Sequence, residues 1–352
     1  MPAPIPCPLT LITGFLGSGK TTLIKEMLAH ETFANTMVIV NEFGEIGIDH
    51  SLMRASTEEV ILLPSGCLCC TLRGDLRDLL RDLVARRLAA EIGFDRVVLE
   101  TTGLADPAPI LHTLLTDPVL AEHYRMDGVV TVVDAVTGAA NLRRSTAAQR
   151  QVALADLVVL SKTDLPEAQP QARSPRPQIA RLNPAAEIVP VVQGRLPPDR
   201  LRHLGHFDAA MSGSMSGVSA RAWIATRVPA ADPEHLSRIR TVSWEVEAPL
   251  TASRFDLWMD VLMARRGADV LRFKGIVHLQ DMAYPFAVHG VQHIFHPPLP
   301  LTGWQAPDRH SRFVMIVQDF SDDEVAALCD ALAIVPLTEH LLTTGYLGES
   351  TA

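Results

Sequence analysis

The stretch Leu9-Thr-Leu-Ile-Thr-Gly-Phe-Leu-Gly-Ser-Gly-Lys-Thr-Thr22 passes from an apolar run through a glycine-rich turn into a helical pattern. Gly14 to Thr21 fits G-x-x-x-x-G-K-[ST] at every fixed position, with a strand before it and a helix after it. Glycines let backbone N–H groups curl around phosphate oxygens, and the helix N-terminus adds the positive end of its dipole. Gly14, Gly17, Ser18, Gly19, Lys20, Thr21 and Thr22 are therefore the candidate phosphate-binding residues. In that arrangement Lys20 reaches the β- and γ-phosphates and Thr21 binds Mg²⁺. The other reading, a chance glycine-rich turn, leaves the strand–loop–helix context unexplained.

Downstream, short apolar runs alternate with helical spacing. Met37–Val40, Val60–Leu63, Val97–Leu99, Val129–Val133, Leu157–Leu160 and Ile188–Val192 read as buried strands, and Thr22–His30 and Asp75–Ile92 as helices. The alternation predicts an α/β fold, a P-loop NTPase domain with a mostly parallel sheet flanked by helices. Two strand ends carry chemistry. Val97-Val-Leu-Glu-Thr-Thr-Gly103 ends in a carboxylate and then a glycine. A P-loop protein needs an acid beside Mg²⁺ and a glycine near the γ-phosphate at such a place. The acid is Glu100 rather than the usual Asp, and metal contact directly or through water are both open. Leu157-Val-Val-Leu160 leads into Ser161-Lys-Thr-Asp164, which resembles the guanine-reading turn of GTPases. Asp164 can accept from guanine N1–H and the 2-amino group, donors that adenine lacks there, and the stem of Lys162 can lie over the base. The bland alternative is a polar turn at a strand end.

The 352 residues carry 31 Lys+Arg against 40 Asp+Glu, a net charge of −9. That balance lacks the basic footprint of a sequence-independent nucleic-acid binder, and no nucleic-acid partner is expected. With 47% apolar and 20% charged residues the chain is expected to fold rather than stay disordered. No apolar run approaches ~18 uninterrupted residues, so no membrane span is expected. The N-terminus has no basic n-region ahead of an apolar stretch, which predicts no signal peptide and a soluble, cytoplasmic protein. The only lysines are Lys20, Lys25, Lys162 and Lys274, and all other basic side chains are arginines. Two of the four thus fall in the nucleotide motifs, where a slim point charge is useful.

Of five cysteines, three crowd into Cys67-Leu-Cys-Cys70, between the Val60 strand and the Asp75 helix. An odd number with adjacent members fits metal or redox chemistry in a reducing compartment better than a disulfide framework. In extended backbone Cys67 and Cys69 point to one side, and Cys70 joins them only if the chain turns. Thiolates favour Zn²⁺, Co²⁺ or Cu⁺ over hard cations. Three sulfurs fall short of a closed four-ligand zinc site, which leaves Glu42, a His or water as the remaining ligand. Packing cysteines or a redox pair are the alternatives. Cys7 and Cys329 are expected to be inert.

Composition shifts past residue 165, where Pro166, Pro170, Pro175 and Pro177 interrupt a polar stretch. The expected division is a nucleotide-binding domain at 1–204, a Gly/Ser/Met/Pro-rich linker at 205–236, and a smaller α+β domain at 237–352. The last has strands expected at Thr241–Glu247, Ile276–Leu279, Val288–Phe295 and Phe313–Val317. Its helices are expected at Phe255–Ala264 and at Ser321–Ala333, the second opened by a Ser-Asp-Asp-Glu cap. One strand over Val288–Phe295 would put His289 and His293 on one face and His296 on the other, read as structural rather than as a metal cluster.

Thr13–Thr22, Asn41-Glu-Phe-Gly44, Cys67-Leu-Cys-Cys70, Glu100-Thr-Thr-Gly103 and Ser161-Lys-Thr-Asp164 occur in that order. With Arg272-Phe-Lys-Gly275 and His289-Gly-Val-Gln-His293, they make the chain resemble the CobW-type metal-handling GTPases over nearly its whole length. These are relatives of the urease- and hydrogenase-maturation GTPases. The resemblance implies Mg²⁺-GTP binding, slow hydrolysis to GDP, and a transition metal (Zn²⁺ or Co²⁺) held by Cys67, Cys69 and Cys70. Glu42 falls near Mg²⁺ or that metal. It implies delivery to a client metalloenzyme or cofactor pathway, with a metal-dependent dimer as a further possibility. Carried over, Lys20, Thr21 and Glu100 are catalytic, and Gly103, Lys162 and Asp164 complete the nucleotide site. The chain departs from many relatives in lacking a long His-rich tract, with only His203, His206 and His235 between residues 200 and 236. Two rival functions stand beside the metallochaperone: an activator dedicated to one enzyme, such as a nitrile hydratase, and a small-molecule kinase or ATPase with a structural zinc.

Overall fold

A computed structural model describes residues 6–40, 60–62, 71–168, 174–201, 204, 238–295, 297–302, 304 and 309–333, with backbone only at 60–62 and 71–75. The chain divides into two compact units, Met1–His206 and Phe207–Ala352.

The first unit is built on a seven-stranded sheet in the order β3-β2-β4-β1-β5-β6-β7. Its strands are β1 Cys7–Thr13, β2 Thr36–Val40, β3 Val60–Leu62, β4 Arg96–Glu100, β5 Tyr124–Asp134, β6 Leu157–Ser161 and β7 Glu187–Pro190. Every neighbouring pair is parallel. Crossovers run through helices α1 Lys20–Leu28, α2 Thr71–Leu88, α3 Ala108–Thr116, α4 Pro118–His123, α5 Gly138–Arg144, α6 Thr146–Leu154 and α7 Arg176–Leu182. The β-branched strands are buried along most of their length, as both-face coverage requires. On one face Leu23, Ile24 and Met27 of α1 pack with Ile12, Val38, Val98, Val130 and Val159. Asp117 lies between α3 and α4 and caps α4 by accepting from Val119 and Leu120 N–H, at 3.1 and 3.2 Å. Helix α2 begins at Thr71, four residues before the expected Asp75, and so directly follows Cys70. Because all seven strands run the same way, their C-terminal ends share one edge, the usual ligand edge of such sheets.

The second unit is an antiparallel sheet in the order β11-β10-β9-β13-β8, with β12 paired to β10. Its strands are β8 Ile239–Val246, β9 Val270–Val277, β10 Phe286–Val291, β11 Ile294–Phe295, β12 Leu299–Pro300 and β13 Ser311–Gln318. Helices α8 Ala252–Arg266 and α9 Asp322–Ala333 complete it. Phe255, Trp258 and Leu262 of α8 pack with Phe273, Phe313 and Leu328, and the Trp258 indole N–H donates to Leu328 O at 3.0 Å. The expected cap of α9 is present in both directions: Glu324 N–H reaches Ser321 Oγ at 3.2 Å and Ser321 N–H reaches Glu324 Oε2 at 2.7 Å.

Two expectations change here. The strand expected at Ile276–Leu279 is the end of β9, which starts at Val270. The alternating cations Arg272 and Lys274, both buried, masked the earlier half. The single strand expected over Val288–Phe295 is a hairpin, with Val291 paired to Ile294 across Gln292-His293. His293 therefore lies in the turn while His289 sits in β10 opposite Lys274, so they do not share a strand face. His296 lies outside the described residues.

Candidate functional site

The site is assembled where β1, β4, β5 and β6 end. Between β1 and α1, Gly14, Gly17 and Gly19 take φ of +143°, +69° and +99°, values that disfavour any side chain. At Gly14 a Cβ would also stand 2.3 Å from Val132 O. Lys20 is the first residue of α1 and is buried. Its ammonium turns back into the loop, donating to Gly14 O at 2.9 Å and Phe15 O at 3.4 Å. The charge thus waits inside the loop on neutral acceptors that a phosphate can replace. Thr21 and Thr22 follow in the first helical turn, half-buried and exposed respectively.

Glu100 ends β4, in register with Ile12 of β1 on one side and Val40 of β2 on the other, and is buried. The residues after it are tied to β1: Thr101 N–H donates to Ile12 O at 3.0 Å, and Thr101 Oγ1 to Thr13 Oγ1 at 2.7 Å. Gly103 is required by contact, since a Cβ there would lie 2.6 Å from Leu16 N. The segment after β4 therefore rests directly on the phosphate loop. Ser18 Oγ and Thr102 Oγ1 are buried without a hydrogen-bond partner among the described residues. A buried hydroxyl of this kind is costly unless a ligand or water engages it. The oxygens of Thr21 and Glu100 are of the hard type that Mg²⁺ takes.

Ser161 and Lys162 bring the β6 turn onto the same loop. Ser161 Oγ donates to Ser18 O at 2.5 Å. Lys162, at φ +56°, donates to Gly17 O at 2.8 Å and to Asp134 Oδ2 at 2.7 Å. Thr163 Oγ1 donates to Val191 O at 3.0 Å, and Asp164 is exposed. Asp134 was not singled out by sequence reasoning. It ends β5 in register with Ser161, and a lone strand-end Asp carries no motif. Burial opposes its charge, but Lys162 and the N–H groups of Val136 and Thr137 hold its carboxyl below the ordinary carboxylate range. Asp134→Asn is expected to cost about 1–2 kcal/mol at pH 7, a modest figure because Lys162 is 39% exposed. The folded-state pKa is depressed, so this contribution is present above about pH 4 and is lost as pH falls through the folded value. Urea unfolding of both proteins at pH 7 and pH 3 checks it: the gap should narrow at the lower pH.

Cys67, Cys69, Cys70 and Glu42 lie outside the described residues, as does Asn41-Glu-Phe-Gly44. What is described is their anchorage: β2 ends at Val40 and β3 at Leu62, paired with each other, on the edge that carries the phosphate loop. Among the described residues no group of three His, Cys, Asp or Glu could hold a metal. Burial pushes the Cys7 thiol up to about 11 and the Cys329 thiol up to about 12. Little thiolate exists at neutral pH in either, so native alkylation at pH 7.5 is expected to leave both unlabelled by mass spectrometry. Among the described residues no helix is long and apolar enough to cross a membrane.

Residues 8–190 match the family described as CobW/HypB/UreG, nucleotide-binding domain. Residues 239–333 match the Cobalamin synthesis protein cobW C-terminal domain. The zinc chaperone YjiA of Escherichia coli (strain K12) is 31% identical over 326 residues, which covers 92% of this chain and 97% of that protein. The zinc chaperone CobW of Pseudomonas aeruginosa is 38% identical over 222 residues, covering 54% of this chain and 58% of its own. The crystal structure of the Zn(II)-bound YjiA GTPase from E. coli aligns with a TM-score of 0.70 at 28% identity, over 94% of this chain and all of that one (100%). Motif order, parallel sheet and antiparallel second unit agree with these matches, and the chain belongs to the CobW/HypB/UreG family of nucleotide-binding proteins, followed by a cobW C-terminal domain.

Proposed function

We propose that this protein is a GTP-hydrolysing metallochaperone that binds zinc and passes it to a client metalloenzyme or metal-cofactor pathway. The observation that carries the nucleotide half is the pair of hydrogen bonds that Lys162 donates to Gly17 O and Asp134 Oδ2. It joins the base-reading turn and the phosphate loop into one unit, and Asp164, two residues on, gives that unit an acceptor for guanine. On binding, Lys20 exchanges the carbonyls of Gly14 and Phe15 for phosphate oxygens. Gly103, packed on Leu16, lies beside the γ-phosphate. Mg²⁺, with Thr21 and Glu100 as its candidate protein ligands, would neutralise charge between the β- and γ-phosphates. The turnover expected is slow, as the resemblance to the CobW-type GTPases implies.

The zinc half rests on the thiolate chemistry of Cys67, Cys69 and Cys70, with Glu42 as the added ligand, and on the zinc chaperones that the chain is similar to. Co²⁺ is the competing cargo. Such thiolates need a reducing compartment, which fits the cytoplasm. A site of three thiolates completed by a single carboxylate suits a metal that is taken up and released. GTP holds the segments after β2 and β4, and hydrolysis relaxes them, so metal affinity follows nucleotide state. A coupling of about 1–3 kcal/mol would change zinc affinity by roughly 5–150-fold. Anaerobic chelator competition with Mg²⁺-GTP, Mg²⁺-GDP and no nucleotide tests this. Tightest zinc binding is expected with GTP, and its loss in Cys67→Ala and Cys69→Ala. Equal affinity in all three states would remove the chaperone reading and leave a GTPase with a structural cysteine site. Gel filtration of the same samples tests for a metal-dependent dimer.

A further inference from the structure

Two adjacent residues of α6 grip the segment that follows Gly103. Arg150 pairs with Asp106. Gln151 Nε2 donates to Gly103 O at 3.2 Å and to Ala105 O at 3.0 Å. The helix that carries them is itself fixed. Thr131 Oγ1 in β5 donates to Gln151 O at 2.7 Å. At the helix end, Asn183 Nδ2 donates to the carbonyls of Val152 and Ala155, each at 2.8 Å, and of Ala153 at 3.2 Å. Gln151 is only 1% exposed. A position this deep beside a sheet is ordinarily apolar, because an amide brought there must recover its lost hydration.

The same residue lines a cavity that the phosphate loop also lines. Gln151 and Ser18 both line a small cavity of about 10 Å³ behind that loop, together with Asp134 and Asn141. Gln151 Oε1 and Ser18 Oγ are both buried without a hydrogen-bond partner among the described residues. A space of this size has room for about one water.

We infer that Gln151 is a positioning residue for nucleotide hydrolysis. A held carbonyl fixes the plane of its peptide, and hence the N–H of the next residue. By holding Gly103 O, Gln151 sets the direction of Leu104 N–H in the segment proposed to meet the γ-phosphate. Through the cavity it shares with Ser18, it is coupled to the phosphate loop. The inference rests on the GTPase reading above. That reading is tested first by turnover of the wild-type chain, so a failure there is visible before any variant is compared.

The experiment uses the full chain carrying Gln151→Met, which keeps length but has no donor, and Gln151→Glu, which keeps shape but faces two carbonyls with an acceptor. GTP turnover is measured as kcat and KM, and GDP affinity by fluorescent-nucleotide titration. Expected is a fall in kcat of about tenfold in both variants, with KM and GDP affinity changed less than about twofold. Unchanged kcat in either variant would overturn the inference. So would a parallel loss of kcat and GDP affinity, the mark of a merely structural amide. If the methionine variant fails to fold, the isosteric glutamate decides alone.

Discussion

Lys20→Ala is expected to lower the proposed GTP hydrolysis about 100–1000-fold, the range seen when one preorganised charge-stabilising group is removed from a transition state. The structure makes the loss twofold in origin. The side chain is buried with its ammonium already among the loop carbonyls, at 2.9 Å from Gly14 O. Little reorganisation is left to the moment of binding. Removing it takes away the cation and also leaves two inward-facing carbonyls without that donor. Lys20→Arg is expected to fail nearly as badly. A planar guanidinium is broader than an ammonium, and the loop is tight enough that a Cβ at Gly14 would already meet Val132 O at 2.3 Å. Steady-state hydrolysis and fluorescent-GTP titration of both variants check this, with melting temperature as the folding control. Arginine retaining more than about a third of the wild-type rate would mean that the loop does not select a point charge.

Asp164→Asn is expected to weaken GTP about 100–1000-fold and to strengthen xanthosine triphosphate. The magnitude follows from two charge-assisted hydrogen bonds, each contributing about 1.5–3 kcal/mol and not fully additive. The change of preference follows from donor and acceptor identity. An amide supplies one donor where the carboxylate supplied only acceptors, and xanthine presents a 2-oxo group where guanine presents an amine. Asp164 is exposed, so folding stability should move by no more than about 0.5 kcal/mol. The affinity loss then reports base reading alone. Competition of GTP, ATP and xanthosine triphosphate for both proteins settles it. Unaltered GTP binding in the variant would transfer base choice elsewhere and reopen the ATPase alternative.

The parts of this site that were legible in the sequence are those whose backbone demands a residue type. Three glycines at positive φ and a helix-opening lysine leave a pattern because few substitutes fit. Asp134 and Gln151 left none. One is a single acid ending a strand and the other a single amide on a helix, and only the register of β5 with β6 and the course of α6 give them partners. The hairpin at Gln292-His293 was hidden for a related reason. Gln292 takes φ +53°, a place where glycine or asparagine is the usual signal, so an apolar run continued past a turn it does not announce. Short helices α3 and α4 were likewise missed, since their break at Asp117 looks like a loop until the carboxylate is seen capping the second helix. The cysteines are the reverse case: their spacing stands out in the sequence, while their arrangement depends on residues beyond those described.

The order of the parallel strands sets a ruler for communication within the first unit. Neighbouring strands stand about 4.8 Å apart. The strand that precedes the cysteines, β3, is three places from the phosphate-loop strand β1, and the base-reading strand β6 is two places away on the other side. The strands that lead to the cysteines and to the Ser161–Asp164 turn thus stand some 24 Å apart along the sheet, with the phosphate-loop strand between them. Recognition of the base is the same for the di- and triphosphate and acts as a fixed handle. Any message about the γ-phosphate has only β4 and β2 to cross before it reaches the cysteine strand. Substitutions on the β5–β7 side should therefore change how tightly nucleotide is held, and those under β2 and β4 how strongly its hydrolysis is felt by the metal.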